Sequence, residues 1–275
     1  MKISQGLWRP RSLLWLIRLL LLFYISFPFC WAITSSFKTD QELLRQPATF
    51  IPQNPTWRNY QFVLYYTDFL KAIGNSIIVA TATVALSLLL GSFAAYALGK
   101  LRFRGKQVWL YLILAMTMFP QISILSALYA IIRTLKLSPM PGMIISYLIF
   151  TLPLTIWLLT TYFKALPDEL MQAAEVDGAT PLQAFYLILL PLTMPALITT
   201  GLLTFISAWN EYLFALTFTS IEPNAHTLPI AIASIPDTLF GPLMAANVMI
   251  MIPITLLMLI FQERIVEGLT GAING

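Results

Sequence analysis

Ionisable groups are scarce in this sequence, and where they fall limits what they can do. Of 275 residues, 58% are hydrophobic and 10% are charged, with twelve Asp and Glu in all. Four of the twelve stand together in residues 167–191: Asp168, Glu169, Glu175 and Asp177. Another, Glu211, interrupts apolar sequence beside Asn210. Four carboxylates in one short polar segment between apolar runs raise the question of what that segment touches. They do not suit metal binding, because the chain has one histidine, His226, and one cysteine, Cys30, with no cluster at ligand spacing. No nucleophile–base set stands out, and no G-x-x-x-x-G-K-[ST] phosphate loop occurs. The expectation is no catalytic residue, no metal and no cofactor held by this chain.

The segment that carries the four carboxylates has its own local order. Pro167 suits the first turn of a helix, where Asp168 and Glu169 meet the positive end of the helix dipole. Ala173 and Ala174 continue that helix at little entropic cost. Gly178 can adopt the left-handed conformation that ends it. Thr180, Pro181 and Gln183 then form the start signal of a second helix, a capping box with proline at the first helical position. The prediction is a helix, a sharp turn and a second helix, an elbow over 167–183.

What flanks this elbow is membrane sequence. Charge-free runs cover 19–37, 72–99, 107–132, 137–163, 178–210 and 238–262, and a span needs ~20 apolar residues. The fold class expected is all-α, a polytopic membrane protein with six transmembrane helices. The first run begins about a turn early, with Arg18 snorkelling, and is too long for the apolar core of a signal peptide. Lysine and arginine set the orientation. Lys2, Arg9, Arg11 and Arg18 precede the first span, and Lys100, Arg102, Arg104 and Lys106 crowd the loop after the second. Both belong in the cytoplasm, so both termini and the elbow face it. The divisions expected are 1–37 (N-terminal segment and span 1), 38–71 (outer loop), 72–265 (five-span core) and 266–275 (cytoplasmic tail).

Other features read along the chain. In 38–71, Pro47, Pro52 and Pro55 make an extended arm, and the aromatic-rich 57–69 suits a short interfacial helix. Gly91, Ala95 and Gly99 put small residues on one face of span 2. Pro120–Gln121 lies mid-span 3, Pro153 in span 4, Pro191 and Pro195 early in span 5, Asn247 and Pro253 in span 6. Glu211 lies about 27 residues into span 5, ~40 Å along an ideal helix, near its outer end. It is a pathway residue or a carboxylate at the outer mouth. His226, in the outer loop 219–237, reads as a solvated loop residue.

The elbow resembles the E-A-A-x-x-x-G…I-x-L-P loop of ABC-importer permeases: Gln172-Ala173-Ala174, Gly178, then Ile188-Leu189-Leu190-Pro191 at the same spacing. Asp177-Gly178-Ala179-Thr180-Pro181, Ala208-Trp209-Asn210-Glu211-Tyr212-Leu213-Phe214-Ala215-Leu216, Thr227-Leu228-Pro229, Phe261-Gln262…Gly268-Leu269-Thr270 and Asn75-Ser76 are similar to the carbohydrate (maltose-type) permeases, specifically the six-span partner subunit. The resemblance implies a type I importer permease of the bacterial or archaeal cytoplasmic membrane. Its implied partners are a second homologous permease, two cytoplasmic ABC ATPases that bind ATP and Mg, an extracytoplasmic solute-binding protein and the lipid bilayer, with no nucleic acid. It implies translocation of a sugar, oligosaccharide or sugar-like polyol, with Glu169, Gln172, Ala173, Ala174, Glu175, Asp177 and Gly178 coupling to the ATPase. Gln121, Asn210, Glu211 and Asn247 are candidates for the translocation pathway, or, for the three amides, glue between helices. The family's leading glutamate is Gln172 here, so an ionic contact would fall to Glu169 or Glu175, three residues to either side. The competing readings are a stand-alone secondary transporter or channel, and a membrane-embedded enzyme.

Overall fold

A computed structural model describes residues 11–273, with side chains from 13 to 266. The expected cytoplasmic segment with Lys2 and Arg9, and the side chains of Arg11 and of the tail beyond 266, lie outside the described residues. Helices α1 (Arg11–Ser36), α2 (Asp40–Leu43) and α3 (Arg58–Tyr66) come first. Next are α4 (Phe69–Gly99), α5 (Lys106–Met116), α6 (Gln121–Thr134), α7 (Pro139–Ala165) and α8 (Glu169–Val176). There follow α9 (Pro181–Ala184), α10 (Leu190–Leu192), α11 (Met194–Trp209), α12 (Leu213–Thr219), α13 (Leu228–Ala233) and α14 (Phe240–Ile273). No strand occurs among the described residues. The chain is an all-α polytopic membrane protein. Four helices, within α1, α4, α7 and α14, are long and apolar enough to cross a membrane, and two bent pairs bring the number to six.

The chain forms two compact units. Of the described residues, the first holds those up to 67 and 235–251, and so α1 to α3 and the start of α14. On α1 the apolar side chains from Leu19 to Ile25 are all exposed, as befits a helix that meets lipid or another protein rather than its own core. The arm that follows is folded tightly. Lys38, 2% exposed, lies 4.7 Å from the Trp31 ring and donates to the Thr49 carbonyl. Glu42 accepts from the Thr49 hydroxyl and the Gln53 amide, and the Gln53 bond holds its carboxyl below the ordinary range. Phe37 from the turn after α1 packs against Trp57 and Tyr60 at the start of α3, the short aromatic helix expected there.

The second unit, residues 68–234 and 252–275, is built on α4, which packs against α7 and α11. The small residues of span 2 explain how. A Cβ at Gly91 would stand 2.5 Å from the Thr155 methyl, and one at Gly99 would stand 3.0 Å from Phe163 Cβ. Ala95, between them, is fully buried. Close approach brings polar groups of neighbouring helices into reach. Ser87 and Thr151 hydroxyls lie 2.8 Å apart, and Thr155 and Thr204 hydroxyls 3.3 Å. Each such bond contributes roughly 0.5–1.5 kcal/mol. At its start α4 holds a later loop. The Asn75 amide donates to the Asn224 and His226 carbonyls, Lys71 donates to Asn224, and the Leu228 amide donates to the Ser76 hydroxyl. His226 is thus half-buried in a clasped turn, not the freely solvated residue expected.

Two expected spans are broken. The run 107–132 is divided into α5 and α6, which meet at 92°. Pro120 takes an extended backbone (ψ 125°), and residues 117–119 close by i→i−3 bonds. A proline has no amide to donate to the preceding turn, so the helix restarts with Pro120 as N-cap. The run 178–210 bends by 77° between Leu192 and Met194, flanked by Pro191 and Pro195. That helix ends at Trp209. Glu211 therefore lies in a break between helices, not in a continuous helix ~40 Å from its start as the sequence suggests.

The α4–α7 contact is tested by filling it. Gly91→Ala should overpack against Thr155 and cost roughly 1–3 kcal/mol, lowering the thermal midpoint of the detergent-solubilised protein. Adding Thr155→Ser removes the clashing methyl and keeps the hydroxyl, so the double variant should regain most of the loss.

Candidate functional site: a polar elbow at one end of the bundle

The elbow forms as its sequence predicts. Helix α8 ends at Gly178, whose φ of +80° is left-handed. The Gly178 amide donates to Glu175 and the Ala179 amide to Ala174, the paired bonds that close a helix on a left-handed residue. Nothing lies within 4 Å of where a Gly178 Cβ would stand, so glycine is needed here for its backbone and not for space. Two residues on, the Thr180 hydroxyl accepts from the Gln183 amide while the Gln183 side chain accepts from the Thr180 amide. The turn between helices is thus closed on both sides by bonds internal to the chain.

Beyond α9 the helix widens to a π turn at Phe185–Leu189 and passes through α10 into the bend. Pro191 cannot donate to the turn before it, and two residues on the Thr193 hydroxyl donates to the carbonyls of Leu189 and Leu190. The base of the elbow is apolar. Ala95, Tyr96, Leu159, Phe163, Phe185, Leu189 and Ala196 form one buried cluster, with Met171 packed against it. The Tyr96 hydroxyl donates to the Pro181 carbonyl at 3.2 Å.

Asp168 does not cap α8 with its side chain. It pairs with Lys100 at 2.7 Å, and the same ammonium donates to the Leu166 carbonyl at 2.5 Å. The Lys100 side chain is 3% exposed and that of Asp168 is 65% exposed. The bond to Lys100 holds the Asp168 carboxyl below its ordinary range, helped by the charges of Arg102 and Lys106. The basic loop after α4 and the elbow after α7 therefore share one end of the bundle. Sequence reasoning used Lys100 only as a topology marker. No local signal pairs it with a residue 68 positions away, nor Asn75 with the turn at 224–226.

The remaining elbow residues divide by exposure. Ala174 is buried, whereas Glu169, Gln172, Ala173, Glu175, Asp177 and Gly178 are exposed. Val176 is 87% exposed, an apolar side chain turned outward beside charged neighbours. Glu169 and Glu175 form no ion pair among the described residues. The outward surface is a short acidic helix with an apolar spot and with Gln172 between two free carboxylates.

Each of the four pathway candidates has its own local setting. Gln121 is exposed at the start of α6. The Asn210 amide donates to Ile206 in its own helix, and that of Asn247 to Leu243 in its own helix, within the first unit. Glu211 accepts from the amides of Phe214 and Ala215, at 2.9 and 3.0 Å, and so fixes the start of α12.

The Lys100–Asp168 pair sets a pH expectation. Its carboxyl is lowered, so its contribution is present above the unfolded carboxylate value of about 3.9 and is lost as pH falls through the lowered one. Deuterium exchange of the α8 amides, corrected for intrinsic rate, should not change from pH 8 to pH 5. Asp168→Asn should speed it across that whole range.

The family model of the binding-protein-dependent transport system inner membrane component matches residues 87–271. The trehalose transport permease SugB of Mycobacterium tuberculosis is 39% identical, over 92% of this chain and 93% of its own. The trehalose/maltose permease MalG of Thermococcus litoralis is 38% identical, over 90% and 91%. The sulfoquinovosyl glycerol permease SmoH of Agrobacterium fabrum is 36% identical, over 90% and 89%. In fold, the chain matches a crystal structure of a bacterial ABC transporter involved in import of alginate, with a TM-score of 0.76, 24% identity, and coverage of 93% of this chain and 97% of that one. A multi-pass fold with an exposed elbow at the family's spacing agrees with these likenesses: the chain belongs to the binding-protein-dependent inner membrane components, as the permease subunit of an ABC importer in the cytoplasmic membrane.

Proposed function

We propose that this permease carries a sugar, oligosaccharide or sugar-like polyol inward, driven through the elbow 167–183. The observation that carries the coupling part is the elbow itself: a rigid turn, closed by its own hydrogen bonds, with its acidic helix facing away from the chain. Two partner ATPases bind ATP and Mg, and each pairs with one permease elbow, this chain's and that of a second homologous permease. The elbow helix seats in a groove on its ATPase. Closure of the ATPases on ATP pushes that helix, and the packed base of Phe163, Phe185 and Leu189 passes the displacement to α4, α7 and α11. The spans then rock between inward and outward access.

The basic loop 100–106 supports a cytoplasmic elbow and cytoplasmic termini, because it shares the elbow's end of the bundle and lysine and arginine favour that side. Gln172 gives the ATPase a hydrogen-bond partner and no charge. Glu169 and Glu175, both exposed and without an ion pair among the described residues, supply the ionic contact on either side of it. Asp177 adds a third negative charge, and Ala173 lets the groove approach the helix closely. The sugar class is supported by relatives for trehalose, for trehalose/maltose and for diacetylchitobiose. Gln121, Asn210, Glu211 and Asn247 remain the candidates for polar contact along the pathway.

Two measurements test this. The purified permease complex should retain a P-loop ATPase, and reconstituted with its binding protein it should hydrolyse ATP faster with one sugar of a panel than with none. No retained ATPase would end the coupling reading; stimulation only by non-carbohydrate solutes would end the substrate reading. Within the elbow, Gly178→Asn should keep most uptake per ATP, because asparagine tolerates the left-handed backbone. Gly178→Leu should lose tenfold or more, since a branched aliphatic neither tolerates that backbone nor fits a closely apposed groove. Equal uptake by both variants would count against the lever.

A further inference from the structure

The end of the bundle away from the elbow carries a charged cleft that the transport cycle described above leaves unused. It has a volume of about 550 Å³ and lies between the α6–α7 turn and the end of α12. Ile132 and Phe218, 3% and 6% exposed, form its base. The Tyr129 ring lies 5.8 Å from that of Phe218, and the Arg133 guanidinium stands 6.0 Å above Tyr129. Lys136 and Glu222 complete the rim. Both cations and Glu222 are exposed. Among the described residues none of the three forms an ion pair.

Lys136 occupies an unusual position. Its φ is +53°. Helix α6 closes there, with the Lys136 amide donating to Arg133 and the Leu137 amide to Ile132. Glycine is the residue that fits this place without strain, as Gly178 does at the end of α8. A lysine held in the left-handed region is a local cost, and what it adds over glycine is a long side chain with an ammonium group. Strained backbone of this kind tends to persist where the side chain has work to do.

The position of the cleft says what it can meet. It lies at the start of α7, beside Ser138 and Pro139, and the elbow follows the other end of that helix. The 27 residues of α7 put the two ~40 Å apart. If the elbow meets the ATPase, the cleft is on the side of the solute-binding protein. We propose that Arg133 and Lys136 dock an acidic element of that binding protein, whose apolar neighbour seats on Tyr129 and Phe218. This rests on the reading of the elbow given above. A protein surface fits better than a small anionic solute. Solvent-exposed cations hold a single small anion weakly, but they guide and register a broad acidic surface. Glu222 lines the same cleft as the two cations and repels an acidic partner, so its removal should strengthen docking.

The test uses the reconstituted complex and its cognate binding protein, with ATPase rate measured against binding-protein concentration. Lys136→Gly fits the backbone and removes the charge. Together with Arg133→Gln it should raise the half-saturating concentration about tenfold at low salt and leave the plateau within twofold. Glu222→Gln should lower the half-saturating concentration by about threefold. In 0.5 M salt the variants and the wild type should converge. An unchanged half-saturating concentration in the double variant overturns the proposal. So does a changed solute preference with unchanged half-saturation, which would make the cleft a solute site. Failure of the elbow reading shows separately, as a complex that retains no ATPase.

Discussion

Close approach of α4 and α7 is the constraint on which the second unit depends. With Gly91, Ala95 and Gly99 on the contact face, the two backbones come near enough for Thr155 and Phe163 to fill the space that side chains would occupy. In a bilayer this contact has no hydrophobic drive, because lipid is as apolar as the helix surface; packing and interhelical hydrogen bonds have to supply it. That is why hydroxyls such as Ser87, Thr151, Thr155 and Thr204 are buried on these helices. The pair then positions what lies at either end: Lys100 for the elbow, Asn75 and Ser76 for the turn at 224–228.

Much of this is legible in the sequence, for physical reasons that differ by element. The long apolar runs are legible because a bilayer imposes a length. The elbow is legible because its signals are local: Gly178, Thr180 and Gln183 each act within four residues. The same holds for the small-residue face of span 2. The breaks are legible only in part. Pro120 and the pair Pro191 and Pro195 announce bends, but not that the two halves meet at 92° and 77°. The angle depends on what the freed carbonyls find, and that is a tertiary matter.

What the sequence hides is long-range and polar. Asp168 reads as a helix-dipole residue, yet its carboxylate reaches Lys100 instead. Asn75 reads as a family marker, and the structure shows two carbonyls on one amide. Glu211 reads as a charge within a span because the apolar run continues past it. In fact the helix stops at Trp209 and the carboxylate serves the next helix. Hydropathy counts residues and cannot see where a helix ends inside an apolar run.

The elbow is shaped entirely from within. Gly178, the capping pair and the Lys100 tie fix its geometry, and none of them needs the outward residues Gln172, Ala173 or Val176. Fold and outward surface thus draw on separate sets of side chains over a dozen residues. Such separation makes the outward set free to drift: an exchange there alters the surface presented without altering the shape that presents it. Gln172 is the visible case, a departure from the family's glutamate on a turn that is otherwise intact. Under the coupling proposed above, an importer built this way would change allegiance between ATPases by a few surface exchanges, with no reconstruction of the membrane part.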